Sequence, residues 1–258
     1  MDIDQSTNKR SALLVTTLGA FLISFMGSSI NIALPAIGEE FAMDAVLLSW
    51  VSTSFLLTVA IFLVLFGRIA DIHGRKKIFL YGFAIYTTSC FLSAISKSAF
   101  FLICSRILQG VGGSMTYSTG TAILTSVFPF GEKGKALGIN VAAVYSGLSF
   151  GPFLGGLLIQ YFGRRAIFLA NIPFGFLVIA FTLLKLKGEW TEARGERFDF
   201  VGSVLYGLIL VAVMYGFSLL PEIWGAFFIL LGLSGVWAFV KWEVKSESPV
   251  FNMDLFKN

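Results

Sequence analysis

A chain of 258 residues that is 56% hydrophobic and only 13% charged does not have the make-up of a soluble globular domain, in which about a quarter of the residues carry charge. The net charge of +4 falls in short clusters between apolar runs rather than in one stripe, so it argues against a nucleic-acid partner. Composition alone therefore places the chain in a membrane.

In chain order, a polar segment, Met1–Arg10, precedes eight long stretches with no Asp, Glu, Lys or Arg, apart from one Arg in the fourth. They are Ser11–Gly38, Ala45–Gly67, Ile78–Ser96, Ser98–Gly131, Ala136–Gly163, Ala166–Leu184, Phe200–Pro221 and Ile223–Val240. Each exceeds or nearly matches the roughly 20 apolar residues that cross a hydrocarbon core. Continuous apolar runs predict helices rather than the alternating short strands of a membrane barrel. The first run is too long for a signal-peptide core and reads as a retained first helix that acts as its own insertion signal.

Of the 19 Lys and Arg, Lys97, Arg164 and Arg165 fall on one side of these spans, Arg106 falls within them, and the remaining 15 share the side of the amino terminus. The positive-inside bias then predicts that both termini are cytoplasmic. Pro35 is expected to end the first span and Pro129 the fourth, while Pro152 and Pro173 interrupt the fifth and sixth. The charged stretch Lys185–Asp199 divides a six-helix part, residues 1–188, from a two-helix part with a tail, residues 189–258.

Few residues have the chemistry of a site. Cys90 and Cys104 lie in apolar runs and imply neither disulfide nor metal; His73, the single histidine, lies in a polar loop. The spans hold no His, Asp or Glu, so an intramembrane enzyme lacks its usual groups. Arg106 is the one charge inside an apolar run, with Gln109 one turn further along the same face. Such a charge either serves a function or snorkels toward the end near Lys97. The segment Gly67–Lys77 spaces Gly67, Ala70 and Gly74 for a tight turn and lets Asp71 pair with Arg75. In the fifth span, Gly147 and Gly151 form a GxxxG face beside Pro152, followed by Gly155 and Gly156.

Together these strings resemble the major facilitator superfamily. Gly67, Asp71, Gly74 and Arg75 look like its cytoplasmic gating loop, except that Ile72 stands where that family often has a base. Gly147, Gly151, Pro152, Gly155 and Gly156 look like its antiporter motif, and Arg106, Gln109 and Gly110 look like its RxxQG segment. Asn31–Pro35 resembles the end of the first helix in the fourteen-helix drug:proton antiporter branch. Phe168, Asn171, Pro173 and Gly175 resemble that branch's sixth helix, Phe198, Asp199 and Gly202 its entry to the seventh, and Met253–Asn258 its segment before the ninth.

The resemblance implies an all-α polytopic membrane protein: a six-helix half-bundle of two three-helix repeats, plus two extra transmembrane helices. It implies the N-terminal part of a secondary transporter in the plasma membrane that exports a small amphiphile, driven by a proton gradient and without a cofactor. Arg106, Gln109 and Asn31 would lie on the substrate or proton path. That branch usually has a membrane-embedded Asp nine residues before the proline matched by Pro35; here Met26 stands there, so the six-helix block has no buried carboxylate. The likeness stops after the eighth span, so a second six-helix half or self-association is required. The alternative is a non-transporting, truncated membrane protein that acts as an assembly or regulatory partner, or an incomplete gene product.

Overall fold

In the computed structural model, residues 2–193, 195 and 198–244 are described, residues 2–7 by backbone alone; the segment Met253–Asn258 lies outside them. Eight helices follow one another: α1 (Asp2–Phe41), α2 (Ala45–His73), α3 (Arg75–Ala94), α4 (Ala99–Val127), α5 (Phe130–Phe162), α6 (Arg165–Lys185), α7 (Phe200–Ser218) and α8 (Ile223–Glu243). Asp44, Ser98 and Asp199 cap α2, α4 and α7, each accepting from a backbone N–H in the first turn.

Six of the eight are long and apolar enough to cross a membrane; α3 and α4 fall short of that measure. All eight expected spans are helices, and packing supplies the reason that these two are less apolar. Helix α3 opens with three bases, and α4 carries Arg106, Gln109 and a run of Gly, Ser and Thr. Both are clasped by other helices, α4 by α1, α2 and α3, and α3 by α4 and α6. A helix covered by protein does not need an apolar surface all round.

Two expectations change. Helix α1 runs through Pro35 to Phe41 instead of ending at the proline. A proline frees the carbonyl four residues earlier, here that of Asn31, and membrane helices tolerate this. The expected loop Gly67–Lys77 is almost entirely helical, with Gly74 as the single residue between α2 and α3. Its φ of +116° is open to glycine at no steric cost, which is how one residue reverses the chain. Pro152 and Pro173 do lie inside α5 and α6, and Pro129 caps α5 rather than ending α4.

The first six helices repeat. Exchanging α1 with α4, α2 with α5 and α3 with α6 turns the α1–α5 contact into α2–α4 and the α3–α4 contact into α1–α6, and leaves α1–α4 and α3–α6 unchanged. The core lies where α1 to α4 and α6 converge, around Met26, Ile30, Phe55, Tyr86, Cys90, Leu102 and Phe168. Helices α7 and α8 pair with each other, and α7 rests on α2, where Trp50 donates to Ser218 Oγ at 3.2 Å and Tyr206 donates to the Ala60 carbonyl at 3.4 Å.

Helix α5 is buried only along the face of Ala136, Gly147, Gly151 and Gly155. A Cβ at Gly147 would stand 2.5 Å from the Phe21 carbonyl oxygen, one at Gly151 2.9 Å from that of Phe25, and one at Gly155 2.7 Å from the Ser29 Cβ. Ser28 and Ser29 donate across the seam to the carbonyls of Gly147 and Gly151. Gly156 has space, with only Ile32 at 3.9 Å. Gly147→Leu should thus lower the detergent melting temperature by the equivalent of about 3 kcal/mol or more, because backbone cannot yield as a side chain does. Gly156→Ala should melt like the parent; equal melting of the two variants would mean that α5 does not approach α1 along this face.

Candidate functional site

Three clusters of charge are buried in the six-helix block. The inner one surrounds Arg106, which is 1% exposed. Its Nε donates to the Val51 carbonyl on α2 at 3.0 Å, its Nη1 donates to Gln109 Oε1, and its guanidinium lies 4.5 Å from the centre of the Phe55 ring. Gln109 Nε2 in turn donates to Cys90 Sγ on α3 at 3.1 Å. Arg106 is therefore turned into the bundle and does not snorkel toward Lys97. Among the described residues no carboxylate forms an ion pair with it. Its charge is held by neutral dipoles and a ring face, which leaves it without a counter-charge.

Asn31 is exposed on α1 and its Oδ1 accepts from Ser52 Oγ at 3.2 Å. The structure joins Arg106 to Gln109 directly and to Asn31 only through the adjacent α2 residues Val51 and Ser52. Met26, which stands where the similar branch has an Asp, is buried, and its sulfur lies 3.4 Å from Asn171 Nδ2 on α6. Phe55, Tyr86 and Cys90 are not marked in the sequence as neighbours of Arg106, because they come from other helices; Phe55 and Cys90 touch the cluster as just described, and Tyr86 donates to the Leu22 carbonyl at 3.5 Å.

The outer cluster centres on Arg75, 5% exposed at the start of α3. Arg75 Nε donates to Asp71 Oδ1 at 2.8 Å, so the expected pair is present. Arg75 also pairs with Glu192 at 2.8 Å and donates to the Ala122 carbonyl at 3.2 Å and to Ser126 Oγ, both near the end of α4. Desolvation works to lower the guanidinium pKa, but the hydrogen bonds to Glu192 and Asp71 outweigh it and hold the value above its ordinary one. Gly67 sits inside α2 facing Ser118 of α4 at 3.8 Å.

The segment after α6 completes this cluster. Glu189 accepts from the backbone N–H of Lys76 at 2.8 Å and of Lys77 at 3.2 Å, at the start of α3, where an anion is favoured. The Arg75 N–H donates to the Trp190 carbonyl at 3.0 Å, and the Ala193 N–H to the Asp71 carbonyl at 3.1 Å. Glu189 and Glu192 were not legible as site residues, since nothing local marks which distant helix start an acidic linker will cap.

The internal repeat supplies a counterpart at the opposite end. Gly163, with φ of +76°, and Arg164 stand between α5 and α6, much as Gly74 stands between α2 and α3 with Arg75 opening α3. Arg164, 4% exposed, forks onto Glu40 near the end of α1, stacks over Phe41 at 4.4 Å and donates to the Ser96 carbonyl beyond α3 at 3.5 Å. Each arginine thus ties the end of the other repeat's first helix to the segment after that repeat's third helix.

Comparison with known proteins agrees with this architecture. The family model described as Major Facilitator Superfamily matches residues 16–201. A "Riboflavin transporter RibZ" of Clostridioides difficile is 32% identical over 95% of this chain and 54% of its own length. A "Multidrug resistance protein Stp" of Mycobacterium tuberculosis is 33% identical over 95% of this chain and 47% of its own. Among solved structures, the POT family transporter PepTSo superposes with a TM-score of 0.62 at 20% identity, over 90% of this chain and 52% of that one. A bacterial homologue of the human lysosomal transporter Spinster gives 0.63 at 18% identity, over 81% of this chain and 51% of that one, and both likenesses concern the fold. The chain spans about half the length of the relatives it matches.

Glu189→Gln keeps size and one acceptor but removes the charge at the start of α3. It should cost about 1 kcal/mol of stability and speed tryptic cleavage after Lys187, while Glu222→Gln, before α8, should change neither. Cleavage at the parent rate would show that the segment does not rest on the α2–α3 turn.

Proposed function

Because the chain belongs to the major facilitator superfamily, we propose that it acts as the N-terminal part of a proton-coupled secondary transporter that exports a small amphiphile. A second six-helix half completes it. The observation that supports this reading best is Arg106, a buried charge between α2, α3 and α4 with no acidic partner among the described residues. A charge held only by neutral dipoles in a low-dielectric site favours any group that brings an opposite charge. In this reading Arg106 and Gln109 meet an anionic or zwitterionic part of the substrate, or an acid of the second half, and Asn31 lines the approach.

The turn built from Gly67, Asp71, Gly74 and Arg75 serves as the gate in the same reading. The bonds of Arg75 to Asp71, Ala122 and Ser126 hold the ends of α2, α3 and α4 together, its pairing with Glu192 adds the segment after α6, and opening that end requires them to part. The GxxxG seam of Gly147, Gly151, Pro152, Gly155 and Gly156 keeps α1 and α5 moving as one body. The protein sits in the plasma membrane with the end that carries Lys9, Arg75 and Lys133 in the cytoplasm, and the two-helix part lies beside the six-helix part. The proton gradient supplies the energy.

Two measurements test this reading. Reporter fusions after Asp44, Lys97, Arg164 and Glu222 should read external and those after Arg75, Lys133 and Lys187 internal; a consistent reversal contradicts the orientation. In membranes holding the chain with a matching second half, Arg106→Met should abolish transport yet melt no lower than the parent, since an apolar side chain of similar volume relieves an uncompensated buried charge. Retained transport with a lowered melting temperature would make Arg106 a packing residue and remove it from the path.

A further inference from the structure

Three hollows run end to end along the seam of α1 and α5. The first, of about 480 Å³, lies at the end of the bundle that carries Lys9, and Lys9, Arg10, Glu132 and Lys135 line it. It shares Arg10 and Ile139 with the second, of about 540 Å³, whose wall is mainly apolar. The second shares Phe21 with a third, of about 500 Å³, between α1, α5 and α6. One trough thus leads from a charged mouth into an apolar interior, and Ile139, where the first two hollows join, is 40% exposed, so the passage is open. From Arg10 to Phe21 it rises about 16 Å along α1, close to the roughly 15 Å of hydrocarbon in one leaflet.

The charges of the mouth do not cancel. Lys9 Nζ donates to Glu132 at 2.8 Å, so those two answer each other. Arg10 and Lys135 are exposed and enter no ion pair among the described residues. At the far end of the same helices the bases are met, since Glu40 pairs with both Arg164 and Arg165. Two open bases above an apolar trough one leaflet deep suit a molecule with an anionic head and a long apolar tail. A head that also carries an ammonium would set it against Arg10 and Lys135, because Glu132 is already engaged.

We infer that the α1–α5 trough binds one anionic glycerophospholipid, with its phosphate on Arg10 and Lys135 and an acyl chain running past Ile139 toward Phe21. The site is built within this chain and goes beyond the transport reading, since it needs neither a second half nor a proton gradient.

The test titrates the purified, delipidated full chain in detergent with phosphatidylglycerol and, separately, with phosphatidylethanolamine of the same acyl chains, and follows the first bound lipid by native mass spectrometry. Half-occupancy should come at a concentration about tenfold lower for phosphatidylglycerol, the order expected of one or two bases at a membrane surface. Arg10→Gln with Lys135→Gln should bring the two lipids together. Lys77→Gln with Lys185→Gln removes two exposed bases outside the trough, at the start of α3 and the end of α6, and should preserve the difference. Equal affinity of the parent for the two lipids overturns the inference, and so does an equal loss in the two double variants, which would leave only a diffuse basic surface. Glycerol phosphate in large excess, a head without a tail, should not displace the lipid; displacement would make the mouth a site for free phosphate and overturn the lipid assignment. Ile139→Trp, which fills the trough and leaves its charges in place, should weaken both lipids, and an unchanged titration in that variant places the lipid elsewhere and overturns the site.

Discussion

Where lipid replaces water, an apolar side chain gains little by leaving the solvent for a neighbouring helix, so helices hold one another by close approach of backbones and by satisfied polar groups. That constraint organises this chain. Helix α5 reaches α1 through Gly147, Gly151 and Gly155, and α4 reaches α2 and α3 through Gly110 and Gly112, whose added Cβ atoms would stand 2.8 Å from the Phe55 carbonyl oxygen and 2.6 Å from that of Gly82. Once the backbones are that close, Ser28 and Ser29 can reach carbonyls across the α1–α5 seam. The same proximity lets α3 and α4 be the least apolar helices and still lie in the membrane, because protein rather than lipid covers them.

The charges follow from the same arrangement. The internal repeat brings the turn of each repeat against the end of the other's first helix, and each turn carries a Gly–Arg pair, Gly74–Arg75 and Gly163–Arg164. At one end Asp71 and Glu192 meet Arg75; at the other Glu40 meets Arg164. The two clamps are similar and stand at opposite ends of one six-helix body. Arg106 lies between them and, unlike them, pairs with no acid among the described residues.

Much of this was legible in the sequence. Eight charge-poor runs gave eight helices, and the pairing of Asp71 with Arg75 followed from a four-residue spacing. Helix limits were less legible: Pro35 reads as a stop, but membrane helices tolerate proline, and Gly67–Lys77 reads as a loop because it is polar, although one glycine with positive φ is enough to turn the chain. Arg106 announced itself as a charge in an apolar run. Its partners Val51, Phe55 and the Cys90 reached through Gln109 did not, since they belong to helices whose rotation about their own axes the sequence does not encode locally. Glu189 and Glu192 escaped for a related reason, as their acceptor oxygens are matched to a helix start more than a hundred residues away.

The central claim is that this chain is one half of a proton-driven carrier. The most direct measurement places the chain and a separately produced second half from a full-length relative in one liposome population, confirms by co-purification that they associate, and follows a zwitterionic amphiphilic dye after a pH gradient is imposed. The account predicts dye movement that requires both halves and stops when the gradient is collapsed. No movement from an associated pair, tried with dyes of each charge type, or movement indifferent to the gradient, would contradict it.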